Sequence, residues 1–230
     1  GNRPIHMHLA EQIAEVEEVQ AVWGKRPAEW LLDNVRVDDQ WCMIHCTQLL
    51  DHETVALAKS CAVAGVCPIT EASLGDGIFN GVRWFESNGA IAIGSDSNIR
   101  ISLAEELRML EYSQRLRDRS RAALATYDKS AGRRVFDAVV AGGAKAAGRG
   151  SVGIARGAWA DLLSLDHEHV DLIDRKGDVV LDSFAFAGSN QMVENVWSAG
   201  RHCVKEGRHI AQPEITERYK SVIAELGSLV

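Results

Sequence analysis

The sequence predicts an α/β fold: half of a (β/α)8 barrel, followed by part of a small β domain. Three observations lead there. Short apolar runs alternate with helix-patterned stretches through the first 120 residues, which is the pattern of parallel strands covered by helices. No glycine-rich phosphate loop follows any strand candidate, which weakens the competing doubly wound, nucleotide-binding sheet. Four βα units make half a barrel, whereas a whole one takes ~250 residues. The count fits a barrel's second half.

The strand candidates are residues 4–8, 41–45, 65–68 and 90–93, each short and followed by polar or turn residues. Helical patterns fill the intervals at 11–22, 28–32 (after Pro27, a good first-turn residue), 51–64 and 81–87. A further helix is expected over 102–117, where Ser102 caps, Glu105 and Glu106 follow in the first turn, and leucines recur at helical spacing. Residues 130–149 read as one or two alanine-rich helices broken at Gly142-Gly143. The texture then changes. "GSVGIARGAWADLLSLD" (150–166) mixes glycines with β-type residues, and 193–210 reads as two strands around the turn Ser198-Ala199-Gly200. The expected organisation is therefore a half-barrel over 1–149, a β domain segment over 150–212 and a C-terminal helix within 213–230.

The chain has 230 residues, 46% of them hydrophobic and 25% charged, which is ordinary for a globular protein. Its net charge of −7 disfavours a nucleic-acid or anionic-membrane partner. No apolar run approaches the roughly 20 residues needed to cross a bilayer, and no signal peptide is evident, so a cytoplasmic location is expected. Five cysteines without CxxC spacing imply reduced thiols, with Cys42, Cys46, Cys61 and Cys67 read as small core hydrophobes. Gly1-Asn2-Arg3 runs straight into the first strand, which suggests a piece of something longer.

The chemistry-bearing residues stand at strand ends. The first strand ends in His8, with Glu11 three residues on; the second ends in His45; the fourth runs into "GSDSN", which contains Asp96. In a parallel barrel all these ends face one rim, where active sites lie. His6 shares a strand face with His8 but sits deeper and is read as structural. Alone, His45 is as readily a core histidine, and Asp96 a turn former. His52, His167, His169, His202 and His209 are read as surface or structural residues, and "RLRDRSR" (115–121) as a solvated helix end. Together, His8, Glu11, His45 and Asp96 are what hydrolysis at a metal requires. A catalytic zinc takes three protein ligands and a water, whose pKa falls to about 7. A carboxylate can accept that water's proton, a carboxylic acid can protonate a nitrogen leaving group, and an imidazole can polarise the group under attack.

"HLAE" after strand one, the lone histidine ending strand two and "GSDS" after strand four resemble the amidohydrolase superfamily of metal-dependent deaminases and hydrolases. Within it, "CPITEASLGDGIFN" (67–80) and residues 94–121 most resemble the formimidoylglutamate deiminase branch. The resemblance implies a (β/α)8 barrel with a small flanking β domain, this chain covering barrel strands five to eight. It implies one Zn2+ per site, with N-formimino-L-glutamate as small-molecule substrate and a homodimer as the assembly. It also implies that His8 and Asp96 are metal ligands and that Glu11, His45 and Asp96 are catalytic. The family's other two ligands are an HxH pair on the first barrel strand. His6-Met7-His8 has that spacing, but the following Ala10-Glu11 matches the later strand. The implied site is half built, and the chain alone is expected to bind zinc weakly and to be inactive. Arg83 and Arg100 lie near the loops where substrate carboxylates would sit; neither is assigned.

Overall fold

A computed structural model describes residues 3–150 and 153–228. Its first sheet is built from β1 (Ile5–Leu9), β2 (Trp41–His45), β3 (Val63–Val66) and β4 (Ala90–Ile93). The four strands are parallel and lie in the order β1-β2-β3-β4, without the reversal that defines a doubly wound sheet. Register pairs His6 with Cys42, His8 with Ile44, and Val63 with Ala90.

Alternation then divides the sheet into two faces. Met7, Met43, Ala64, Val66, Ile91 and Ile93 pack into one cluster with the buried residues of α1 (Ile13–Trp23), α2 (Pro27–Asn34), α3 (Asp51–Lys59), α5 (Gly81–Glu86) and α6 (Leu103–Asp118). The opposite face carries Cys42, Ile44, Val63, Ala90 and Ala92, joined in their cluster by Ala146 of α7 (Ala131–Ala146). His6 and His8 share this thinly covered face through their register with Cys42 and Ile44.

The helices differ from the sequence reading where side chains or turns intervene. α1 begins at Ile13, because the Glu15 carboxylate accepts the backbone N–H groups of Ala10 and Glu11 at 2.7 and 2.8 Å and holds that pair outside the helix. The helix expected over 51–64 stops at Lys59. Cys61 is left-handed at φ 68°, and the strand placed at 65–68 starts two residues earlier, at Val63. Pro68 instead opens α4 (Pro68–Leu74), a helix absent from the expected elements, closed by left-handed Gly75. α6 matches closely: Ser102 Oγ accepts from the Glu105 N–H, as a cap should.

α7 runs unbroken through Gly142-Gly143, and the reason is packing. A Cβ on Gly142 would lie 2.0 Å from the Ile91 carbonyl oxygen, so this glycine lets α7 rest directly on the backbone of β4. Gly143 faces open space.

Beyond residue 153, a second sheet forms from β5 (Leu162–Leu165), β6 (Val193–Ser198), β7 (Arg201–Lys205) and the two-residue β8 (Arg208–His209), all antiparallel and in chain order. Residues 151 and 152 of the expected boundary stretch lie outside the described residues. The segment between β5 and β6 is not purely β. α8 (Asp178–Asp182) runs on into a π-helical turn over Ser183–Ala187, which packs against α6 and α7. The Arg108 guanidinium fastens it by donating to the Ala185 and Gly188 carbonyls. α9 (Gln212–Gly227) buries no residue and exposes Ile215, Tyr219, Val222, Ile223 and Leu226. Among the described residues no helix is long and apolar enough to cross a membrane.

Two adjacent glycines test this packing. Gly142→Ala should destabilise the chain by more than about 3 kcal/mol, because the new methyl collides with rigid backbone. Gly143→Ala should stabilise it by about 0.5–1 kcal/mol through helix propensity alone. Urea unfolding of both variants checks the pair, and equal effects would refute the contact.

Candidate active site

The carboxyl ends of β1, β2 and β4 meet at one rim. His45 closes β2 almost fully buried, at 1% exposure, and its imidazole is the centre of the group. Its Nε2 lies 3.5 Å from Glu11 Oε1 and 3.8 Å from Asp96 Oδ2, while Nδ1 lies 3.2 Å from Glu71 Oε1. The His8 ring sits with its centroid 5.3 Å from that of His45. His8, Glu11, His45 and Asp96 are thus brought together from three strands, as the sequence reading expected. His8 and Asp96 are exposed, and Glu11 is half-buried beside them.

The backbone that delivers these groups is unusual. Ala10, His45, Cys46 and Asp96 all adopt left-handed φ, between 50° and 69°, where non-glycine residues are uncommon. Each turns the chain sharply where a strand ends. Local hydrogen bonds hold the turns: Cys46 N donates to Leu9 O at 3.1 Å, Gln48 N to Ala10 O at 2.8 Å, and Ser97 N to the Asp96 side chain at 2.6 Å. Thr70 on α4 donates to the Ser95 carbonyl at 3.0 Å, tying the Asp96 loop to the preceding helix.

His6 behaves as a structural residue: its Nε2 meets the Ala146 carbonyl at 2.8 Å, at the end of α7. Arg83 pairs with Glu86 and Arg100 with Glu105, so both are engaged on the surface. His52 bonds Glu29, and His202 bonds Asn195 and stacks on Trp197. His167 and His169 lie in turns rather than a strand. Arg115 corrects the reading of "RLRDRSR" as solvated, because it pairs with the buried Glu111 and lies over the Tyr112 and Phe186 rings. Cys61 likewise is exposed at its turn rather than buried, while Cys42, Cys46 and Cys67 are core thiols as expected.

Sequence reasoning missed three members of the site. Cys67 is read from the sequence only as a core thiol within the third strand candidate, while Glu71 and Asp76 follow that strand in "PITEASLGDG", where no element is expected. Cys67 Sγ, a His45 nitrogen and an Asp96 oxygen all lie within 4.8 Å of one another. Burial, reinforced by Glu71, Asp96 and Glu106, pushes the Cys67 thiol up to about 12, so it stands there as a neutral thiol. Asp76 accepts from the Gln12 side chain at 3.0 Å and adds its charge to the Glu11 side of the rim. The Glu11 carboxyl is raised above its ordinary value, chiefly by burial and against the pull of His45. His45 is also raised. Burial alone would lower it, but the bond to Glu71 and the charges of Glu11, Glu71 and Asp96 prevail. The signal that could have revealed Glu71 is its place three residues after Pro68, in the first turn of a helix that begins at a strand end.

A divalent metal fits the donors on this rim. An exposed imidazole and an exposed carboxylate, His8 and Asp96, are borderline and hard ligands suited to zinc, and both open to solvent beside the His45 imidazole.

The model of the amidohydrolase family matches residues 2–203, and the chain belongs to that family. A formimidoylglutamate deiminase from Pseudomonas aeruginosa is 45% identical over 97% of this chain and 49% of its own length. A 5-methylthioadenosine/S-adenosylhomocysteine deaminase from Pyrococcus abyssi is 26% identical over 75% of this chain and 40% of its own. A solved amidohydrolase from Brucella melitensis superposes with a TM-score of 0.92 at 47% identity, covering 98% of this chain and 50% of that one. An adenosine deaminase from Xanthomonas campestris with bound zinc superposes at 0.80, with 24% identity over 96% of this chain and 51% of its own; that likeness is one of fold. The chain spans about half the length of the relatives it matches.

A buried acid beside the rim gives a pH test. Glu106 is fully buried; its Oε2 accepts the Ile69 N–H at 3.0 Å, and among the described residues no hydrogen bond of good geometry reaches its Oε1. Burial pushes its carboxyl up to about 7. Its folded pKa thus exceeds its unfolded one, so its contribution to stability is full below about pH 4.5 and is lost as pH rises through 7. Glu106→Gln should remove that slope and raise stability at pH 8 by about 1–3 kcal/mol. Parallel denaturant curves at pH 5 and pH 8 for both proteins check this; identical pH slopes would contradict it.

Proposed function

We propose that the protein to which this sequence belongs is a zinc-dependent formimidoylglutamate deiminase. It would convert N-formimino-L-glutamate and water to N-formyl-L-glutamate and ammonia. The observation that carries this reading is the convergence of Glu11, Asp96 and His8 on the His45 imidazole at one strand-end rim. The 45% identity to a formimidoylglutamate deiminase, spread over nearly the whole chain, supports the substrate. The chain supplies barrel strands five to eight of a (β/α)8 barrel; its consecutive parallel order and single helix-covered face support that placement.

His8 and Asp96 would hold the metal, with further ligands from the half of the barrel that the relatives possess and this chain does not span. When bound, zinc supplies Lewis acidity and an acidified water. The chain's own residues do the rest. Asp96 accepts a proton from the attacking water, whose oxygen bonds to the amidine carbon. His45 Nε2 polarises the amidine. Glu11, held above its ordinary pKa, delivers a proton to the departing nitrogen; as the C–N bond breaks and ammonia leaves, the Glu11 carboxylate takes the hydroxyl proton and the formyl C=O forms, and Asp96 passes its proton to the ammonia. Glu11, Glu71, Asp76 and Asp96 crowd carboxylates around this point, which favours a cationic reacting group such as an amidinium over a neutral ring. The assembly we propose is a homodimer in the cytoplasm.

The deciding experiment is ammonia release by the full-length protein on N-formimino-L-glutamate. Turnover of an adenosine derivative with none of the amidine would transfer the assignment to the ring deaminases represented among the relatives. Within the active protein, Asp96→Asn should lower kcat by at least about 10²–10⁴-fold. His6→Gln should leave kcat within a few-fold while costing about 0.5–1.5 kcal/mol of stability, from its lost bond to Ala146. Equal losses of turnover would mean that the strand faces have been exchanged.

A further inference from the structure

We infer that Glu71 is a positioning residue that sets the tautomer and direction of His45, a role resting on the reading of His45 as a group that meets substrate. Three features of the rim lead to it. The His45 backbone is left-handed at φ 69°, so its side chain departs from the ordinary course of a strand and needs an external hold. Glu71 is buried at 3% exposure, and a buried carboxylate is costly unless a partner meets it. One oxygen of that carboxylate, Oε1, lies 2.8 Å from the Cys67 N–H and 3.2 Å from His45 Nδ1.

The bond to Cys67 alone would make Glu71 a cap for α4, which begins one residue later. The second contact gives the same oxygen another task. The carboxylate oxygen is the acceptor in this bond, so its hydrogen sits on Nδ1, and Nε2 is directed toward Glu11 and Asp96, free to donate when the ring takes up a second proton. A partner on the far nitrogen that fixes the working nitrogen is the general logic of oriented imidazoles. Glu71 does this from α4, an element separate from the strands that carry Glu11, His45 and Asp96. The rim therefore has a second tier, built by the helix after β3.

The test has a spectroscopic and a kinetic arm. Long-range ¹⁵N–¹H correlation on the 230-residue chain reads the His45 tautomer directly. The unsubstituted chain should show Nδ1–H, and Glu71→Gln, whose amide oxygen can still accept, should retain it. Glu71→Leu should shift the ring toward Nε2–H or a mixture. In the full-length protein, Glu71→Leu should lower kcat by about 10–100-fold with KM nearly unchanged, while Glu71→Gln recovers most of the loss. Should the leucine variant fail to fold, Glu71→Asp takes its place. Its carboxylate keeps the charge but falls short of the ring, and it should give the mixed tautomer. A folded leucine or aspartate variant with Nδ1–H unchanged would overturn the inference, as would a glutamine variant as slow as the leucine one. The tautomer needs no substrate. If the full-length protein leaves N-formimino-L-glutamate untouched while the tautomer shifts as stated, the functional reading fails and the positioning role stands.

Discussion

Parallel pairing is the constraint on which this molecule depends. Because β1 to β4 run in one direction and in chain order, every strand delivers its last residue to the same rim. Groups separated by up to 88 positions in sequence, His8 and Asp96 at the extremes, become neighbours of one imidazole. The helices contribute by covering one face of the sheet, burying Met43, Ala64, Val66 and Ile91 there. The strands are thereby fixed in register, while the other face keeps its histidines accessible. Had alternation slipped by one residue in β1, Met7 would occupy the histidine face and both imidazoles would be driven into the helical core.

Much of this was legible in the sequence because it rests on local pattern. β2 and β4 coincide with their apolar runs residue for residue, and the α6 cap was visible as a serine followed by glutamates. The four principal site residues were legible because each follows an apolar run at the point where a strand must end. What escaped was non-local. Gly142-Gly143 looks like a helix break in any one-dimensional reading. Only the approach of α7 to the Ile91 carbonyl shows the first glycine to be a packing device. "PITEASLGDG" is rich in turn formers, yet Pro68 starts a helix, and with it Glu71 passes from a surface acid to a buried partner of His45. The α8 segment and its π-helical turn owe their place to Arg108, 77 residues away in sequence from Ala185, and no window of sequence contains both.

The rim balances opposing electrostatic effects. Desolvation favours neutral forms of Glu11 and His45, whereas proximity of imidazole and carboxylate favours charged ones. For His45 proximity prevails; for Glu11 burial does. Glu11 and His45, 3.5 Å apart, thus both hold a proton more readily than they would in water, the acid because burial prevails and the ring because its carboxylate neighbours do. Cys67, next to His45 and Asp96, is held neutral chiefly by burial, with Glu71, Asp96 and Glu106 adding to it, and remains a small, uncharged wall.

The left-handed residues at the strand ends carry a cost that glycine would avoid. Each stores on the order of 1–3 kcal/mol, and glycine at Ala10 or Cys46 would release it. That release would also loosen the chain just where Glu11 and His45 are aimed. The tension at the mouth of the sheet is therefore tied to accurate aim: a sturdier version of this protein, selected for heat tolerance alone, would drift toward a slacker and less competent rim.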